Sequence, residues 1–328
     1  MKLVAVTRVL NEADIVEAFV RHTAHFVDQH LFVDNGSVDG TLGILEKLKQ
    51  EGLPLSVFQS GSRSFIEAQV NTFLYRTAVS GHAADWVVFL DADEFIDDAW
   101  LTQPLRDTVA AFQARHGEGA CIRVPLRDYH LTPEDPADPV VPRRIRHCVD
   151  SAGESSSKVI VPAALLARNA VVLPGNHAVQ IDQGSLCPAH AEPGLAYAHY
   201  AVRSPYQWIS KALIGWSKVL AAGPETVAAK HGYHYQWLFD SLRGNPAGFF
   251  SNPQVMQKAL APAGLSLRPL DYRGGELRHT GPVDHPMRAA KVLMQYLHEL
   301  ASQHGEMLEL VNKLHATVER NEGISPLF

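Results

Sequence analysis

Asp91 and Asp93 leave an unbroken apolar run, Trp86-Val87-Val88-Phe89-Leu90, and flank one small residue, Ala92. Two carboxylates two positions apart at a strand end can turn together toward one hard cation and the phosphates it carries. Glu94, Asp97 and Asp98 follow closely, so a solvated acidic loop is the competing reading. The buried strand that aims the pair favours the metal site. A second cluster, Asp34-Asn35-Gly36-Ser37-Val38-Asp39-Gly40-Thr41, combines two glycines suited to tight turning with side chains able to receive a base or a ribose. The same residues can serve only as a turn and a helix cap, with Asp39 or Thr41 as the cap. Arg8, Asn11 and Glu12 carry the same ambiguity, since Asn11 can cap the first helix. Arg143, Arg144, Arg146 and Lys158 can neutralise a departing diphosphate or form a solvated basic face.

The elements that must position these groups are legible from hydrophobic patterning. Short apolar runs at 3–6, 31–33 and 55–58 precede the run at 86–90, which lacks polar alternation, as a strand buried on both faces does. Helical stripes lie between them: Ile15, Val16, Phe19, Val20 and Phe26, then Leu42, Leu45 and Leu48, then Ile66, Val70, Phe73 and Leu74. Strand and helix in alternation imply a mostly parallel α/β sheet with right-handed crossovers. Ligands of such sheets bind beyond the carboxyl ends of the strands. Thr7-Arg8, the Asp34 segment, Gln59-Ser60-Gly61 and Asp91-Ala92-Asp93-Glu94 all fall there. Residues 132–142 read as a Pro- and Asp-rich loop, and beyond about residue 200 the pattern turns helical.

A chain of 328 residues with 46% hydrophobic content has ample core for one large domain and an annex. Its net charge of −6 argues against a general nucleic-acid binder, which needs surplus cations to displace phosphate counterions. Cys121, Cys148 and Cys187 are too few and scattered for a disulfide framework or a zinc knuckle. Without a signal-peptide core or a bilayer-length apolar run, the expectation is a soluble, cytoplasmic protein.

Arg8-Val9-Leu10-Asn11-Glu12, Asp34 through Thr41, and Asp85 through Phe95 resemble the signatures of family 2-type glycosyltransferases. Lys158-Val159-Ile160-Val161-Pro162, Gly175-Asn176-His177, His199-Tyr200-Ala201-Val202-Arg203-Ser204 and Lys211 bring the resemblance closest to the branch related to family 92. The likeness spans roughly residues 1 to 215. It implies a GT-A fold (a Rossmann-like nucleotide-diphospho-sugar transferase fold), a UDP- or GDP-sugar donor, and a divalent cation, Mn²⁺ or Mg²⁺. By position it puts Arg8, Asn11, Glu12 and Asp34 along the nucleotide, Asp91 at the ribose or metal, and Asp93 at the metal. The donor-binding set is completed by Thr7, Asn35, Ser37, Arg63, Gln69, Ala92 and Lys158. Among 17 histidines, His199 is the candidate third metal ligand, with His177 its rival and an incidental histidine the bland alternative for either. The Glu-Asp pair that many family 2 members use as base is not visible, so Asp128 and Glu154 are the candidates, chosen by their place between the Asp-x-Asp strand and His199.

These readings combine into a GT-A domain over residues 1–222 and a helical C-terminal annex over 223–328. The expected reaction is transfer of a hexosyl group to a saccharide or other acceptor hydroxyl, with inversion. The donor is expected to bind the first domain alone, and the annex to govern acceptor use. Apolar residues recur at helical spacing from Pro286 to His315, with Gly305 expected to interrupt them, and this helix is read as packing on the domain or on a second subunit. Two rivals stand beside this reading. One is a haloacid-dehalogenase-type phosphatase with Asp91 as nucleophile. The other is a sugar-nucleotide-binding module without turnover.

Overall fold

The computed structural model describes residues 1–60, 67–149, 156–182, 184–230, 232–245, 264–282 and 285–321. The chain begins with β1 (Leu3–Val9), α1 (Val16–Thr23), β2 (Gln29–Asp34), α2 (Thr41–Gln50), β3 (Leu55–Gln59), α3 (Glu67–Arg76) and β4 (Trp86–Phe89). The four strands pair in parallel in the order β3-β2-β1-β4, with Val6 opposite both Leu31 and Phe89. Every residue of β4 is buried, as its unbroken apolar sequence requires. The α1 stripe stops at Thr23, short of Phe26, and no side chain caps the helix. Asn11 instead takes a left-handed backbone (φ 58°), and its Oδ1 accepts the Val38 N–H at 2.8 Å.

The sheet then turns mixed. β5 (Glu94–Asp97) and α4 (Leu105–His116) lead to the long β6 (Cys121–His130), a helical turn α5 (Val141–Arg144), β7 (His147–Val149) and β8 (Ser157–Pro162). β8 lies antiparallel between β4 and β6, and β7 pairs antiparallel with the end of β6. β9 (Val171–Val172), β10 (Val179–Ile181) and β11 (Ser185–Leu186) form a separate three-stranded sheet, and β12 (Ala189–Ala191) adds parallel to β6. β13 (Ala196–His199) runs antiparallel to β5 and parallel to β6. That wedge sets His199 opposite both Glu94 and Asp128.

Ser204 caps the next helix, α6 (Pro205–Ala221), by accepting the Gln207 N–H at 3.1 Å, with Pro205 in the first turn. α7 (Pro224–Ala228), α8 (Tyr233–Gly244), β14 (Leu265–Leu267) and α9 (His285–Asn321) follow. β14 returns to the sheet beside β7. α9 runs 37 residues straight through Gly305, so the expected interruption is absent. A single glycine costs a helix about 1 kcal/mol, too little to break one this long. Val292 and Tyr296 of α9 pack with Ile214 of α6, against Leu10 and Val38 of the loops after β1 and β2. Among the described residues no helix is long and apolar enough to cross a membrane.

Candidate functional site

A cleft of about 560 Å³ opens at the carboxyl ends of β1, β2 and β4 and is roofed by α6, α8 and α9. Strand alternation decides which neighbours reach it. Arg8 lines the cleft, whereas the Thr7 hydroxyl turns into the core and meets His30 Nε2 at 2.8 Å. Asn11, Glu12, Asn35, Asp91, Ala92, Asp93, Lys158, His177 and His199 also line it.

Other expected residues lie elsewhere. The buried Asp34 carboxylate accepts the Gly36 and Ser37 N–H groups at 2.9 and 3.1 Å, closing the turn after β2. Ser37 Oγ accepts the Asn11 N–H at 2.9 Å, and so ties that turn to the loop after β1. Asp39 bonds both the amide and the hydroxyl of Thr41 at the start of α2. Gln69 stands exposed on α3, away from the cleft lining, while Glu67, two residues earlier and so on a different face of the helix, is in it. Arg63 and Glu154 lie outside the described residues.

The acidic pair is a charged network and not a solvated loop. Asp93 is 2% exposed; Lys211 from α6 bonds its Oδ2, with Arg203 at 3.6 Å and His199 Nε2 at 3.9 Å. Lys158 from β8 sits 2.6 Å from Asp91 Oδ2 and 3.1 Å from Glu94 Oε1, and Glu94 Oε2 accepts the Asp91 N–H at 3.0 Å. Glu94 thereby fixes the turn that aims Asp91. Arg8 pairs with Glu67 and lies 3.9 Å from Asp91 Oδ1. Burial opposes ionisation of Asp91 and Asp93, but Lys158 and Lys211 outweigh it and hold both carboxyls below their ordinary range. Burial wins at Glu94, which is pushed up to about 7.

Behind this layer Arg203 is wholly buried. Its guanidinium donates to Asp14 at 2.8 and 3.1 Å, to Glu12, and to the Tyr200 carbonyl at 3.1 Å. Arg288 of α9 reaches the same loops, bonding Asp39, the Asn11 carbonyl at 3.1 Å and Asp14 at 3.3 Å. Burial pushes Glu12 up to about 7 even beside Arg203.

His199 Nδ1 lies 2.7 Å from Asp128 Oδ1 at the end of β6. Burial disfavours the imidazolium, but the Asp128 bond and Asp93 outweigh it and raise the His199 pKa. When Nδ1–H donates to Asp128, Nε2 presents its lone pair toward Asp93, the arrangement by which carboxylates orient metal-binding histidines. His177 is exposed, and its Nδ1 lies 2.6 Å from the Ser157 carbonyl. Among the described residues no three His, Cys, Asp or Glu side chains form a ready-made metal cage. The donor set instead fits a hard cation bound through one or two carboxylates and completed by phosphate oxygens.

Sequence reasoning did not place Glu67, Glu94, Tyr235 or Arg288 in the site. Glu94 carried a signal, since it directly follows the acidic pair. Arg288 lies 249 residues from Asp39, and no local pattern announces such a partner.

No curated protein matches the chain. Among solved structures, a mannosyltransferase of Pyrobaculum calidifontis in complex with GDP-Man and Mn²⁺ is 17% identical, covering 79% of this chain and 77% of its own, with a TM-score of 0.37. Glucosyl-3-phosphoglycerate synthase of Mycobacterium tuberculosis in complex with Mn²⁺, UDP and glucosyl-3-phosphoglycerate is 19% identical, covering 60% and 71%, with a TM-score of 0.32. The same synthase with Mg²⁺ and UDP gives 16% identity, 70% and 79% coverage, and a TM-score of 0.35. The family model described as glycosyl transferase family 2 matches residues 5–147, which hold β1 to β4 and the Asp91–Asp93 turn. Over residues 5–147, less than half of the chain, the sequence is thus similar to the glycosyl transferase family 2 model.

Proposed function

We propose that the protein is a divalent-cation-dependent glycosyltransferase that moves a hexosyl group from a UDP- or GDP-sugar to an acceptor hydroxyl, with inversion. The observation that carries the reading is the meeting of Asp91 and Asp93 with Arg8, Lys158 and Lys211 in one cleft at the ends of parallel strands. Such a place suits a diphosphate: carboxylates for its cation, and guanidinium and ammonium groups for its oxygens. Asp91 and Asp93, with His199 Nε2, would hold Mn²⁺ or Mg²⁺, and the cation would offset charge growing on the leaving diphosphate. Arg8 and Lys158 orient the same oxygens, and Asn11, Glu12 and Asn35 line the nucleotide end.

Asp128 is the proposed base. It bonds His199 from just outside the cleft lining with its side chain 56% exposed, and the His199 bond holds its carboxyl below the ordinary range, so it is ionised at neutral pH. The motifs from Lys158 to Lys211 support a branch related to family 92. Residues 1–222 would form the catalytic domain, with a boundary just after α6, and 223–328 the annex. Self-association through the outer face of α9, where Met294, Leu297, Leu310 and Leu314 are exposed, and a cytoplasmic location complete the proposal. A saccharide acceptor fits the hydroxyl chemistry. The phosphatase alternative loses ground to the family match over residues 5–147. A thermal-shift screen of UDP- and GDP-sugars with and without Mn²⁺, followed by donor turnover, tests the reading, because ligand binding raises stability by mass action. Failure of every nucleotide sugar to bind would remove it.

A further inference from the structure

Helices α6 and α8 touch at a position where no side chain stands. A Cβ on Gly215 would lie 2.6 Å from Tyr235 Cδ2 and Cε2 and 2.9 Å from Cγ. These are ring atoms close to the root of the side chain, so no flexible tip can swing aside to admit a methyl group. Gly215 lies inside α6 and is absent from the positive-φ glycines, so its backbone does not ask for glycine. In a helix interior alanine is favoured over glycine by about 0.5–1 kcal/mol, so the ring, not the backbone, accounts for this residue. Gly232 seats the other side. Its φ is +62°, and a Cβ there would lie 2.9 Å from Val219 Cγ2 and 3.3 Å from Tyr235 Cδ2.

So held, Tyr235 lines the cleft together with Gly215 and Gly232. The charges acting on its hydroxyl come from Lys211, Glu67, Asp93 and Asp91, and Arg8 is influenced by Tyr235 in turn. These are the groups that the parallel strands gather from the opposite side. Burial keeps the phenol protonated, and therefore a hydrogen-bond donor, at neutral pH.

We infer that Tyr235 is a substrate-contacting residue of the donor site, its hydroxyl donating to a β-phosphate oxygen of the nucleotide sugar, and that Gly215 admits its ring. The inference rests on the donor-binding reading above. It changes the division of labour expected from the sequence, because the annex then supplies part of the donor site as well as any acceptor surface.

The test uses the full chain with UDP-glucose and GDP-mannose as probes, each with Mn²⁺, beside UDP, UMP, GDP and GMP in calorimetry. Tyr235→Phe keeps the ring in its seat and removes only the hydroxyl. It should weaken the nucleoside diphosphate and its sugar by about 10- to 100-fold, the range for a hydrogen bond to a charged group, while the monophosphate is unaffected. Gly215→Ala should reproduce the loss, and in a Tyr235→Ala background it should add nothing, because the clash is gone. Equal weakening of mono- and diphosphate would assign Tyr235 a packing role and overturn the inference. So would a Tyr235→Phe protein indistinguishable from the parent while Asp93→Asn abolishes binding, an outcome that leaves the donor reading intact. Absence of binding by the parent protein to either probe would overturn both.

Discussion

Replacing Arg203 with methionine removes the cation that, among the described residues, is common to Glu12, Asp14 and Asp93. The guanidinium is wholly buried, and the three carboxylates are 10%, 6% and 3% exposed. Breaking one buried ion pair from one side costs about 3–5 kcal/mol, because the remaining charge is stranded. Three stranded carboxylates do not triple that figure. Arg288 remains 3.3 Å from Asp14, and Lys211 remains on Asp93 and 3.8 Å from Glu12. Glu12, already pushed up to about 7, relieves itself by taking a proton, and losing Arg203 raises its pKa further. A carboxyl raised in the folded state contributes stability at low pH that is lost as pH climbs through the folded value. Arg203→Met should therefore cost about 3 kcal/mol near pH 6 and about 1–2 kcal/mol more near pH 8.5. Urea unfolding at the two pH values measures both numbers. Arg203→Lys should not rescue, since one ammonium cannot reproduce the paired bonds to Asp14 together with those to Glu12 and Tyr200. A loss below about 1 kcal/mol, or a larger loss at the lower pH, would refute the reasoning.

The remaining predictions concern the cation, the base and the buried titrating groups. Asp93→Ala should abolish Mn²⁺-dependent donor binding and also destabilise the fold by about 3 kcal/mol, since Lys211 and Arg203 face it; chemical denaturation beside calorimetry separates the two effects. Asp128→Asn should lower kcat by about 10²- to 10⁴-fold with nucleotide affinity unchanged, as read by steady-state transfer and UDP or GDP binding. His22 and His30 are pushed down to about 4 and about 3, in each case by burial, so their stabilisation is complete above pH 6.5 and lost as pH falls toward those values. Glu12 and Glu94, raised to about 7, act in the opposite sense between about pH 4.5 and 7, so the parent protein's stability should stay nearly level there. His30→Gln removes one limb and should gain about 1.4 kcal/mol per unit of falling pH relative to the parent, visible as diverging urea midpoints.

The parallel strands and the Asp91–Asp93 turn were legible because both are local. Four apolar runs with helical spacers fix a sheet, and a sheet fixes which edge is polar. Orientation within that edge was not legible. Thr7 and Arg8 are neighbours, yet only the parity of β1 in its sheet sends one into the core and the other into the cleft. Asp34 offered a turn and a ligand reading together, and in the folded chain its carboxylate serves the turn amides. The residues hardest to foresee are those whose partners lie far along the chain. Arg203 meets Asp14 across 189 positions, and Arg288 meets Asp39 across 249. These contacts depend on how α6 and α9 dock, and docking is set by packing among Ile214, Val292 and Tyr296 that no linear motif records.

The donor site is tested most directly by calorimetric titration of UDP and GDP into the full chain, with Mn²⁺ and with chelator. One site is expected for at least one of the two nucleotides, tightened about tenfold or more by Mn²⁺, with the Mn²⁺ effect lost in Asp91→Asn and in Asp93→Asn. Binding of neither nucleotide under either condition, or binding that both variants leave unchanged, would contradict it.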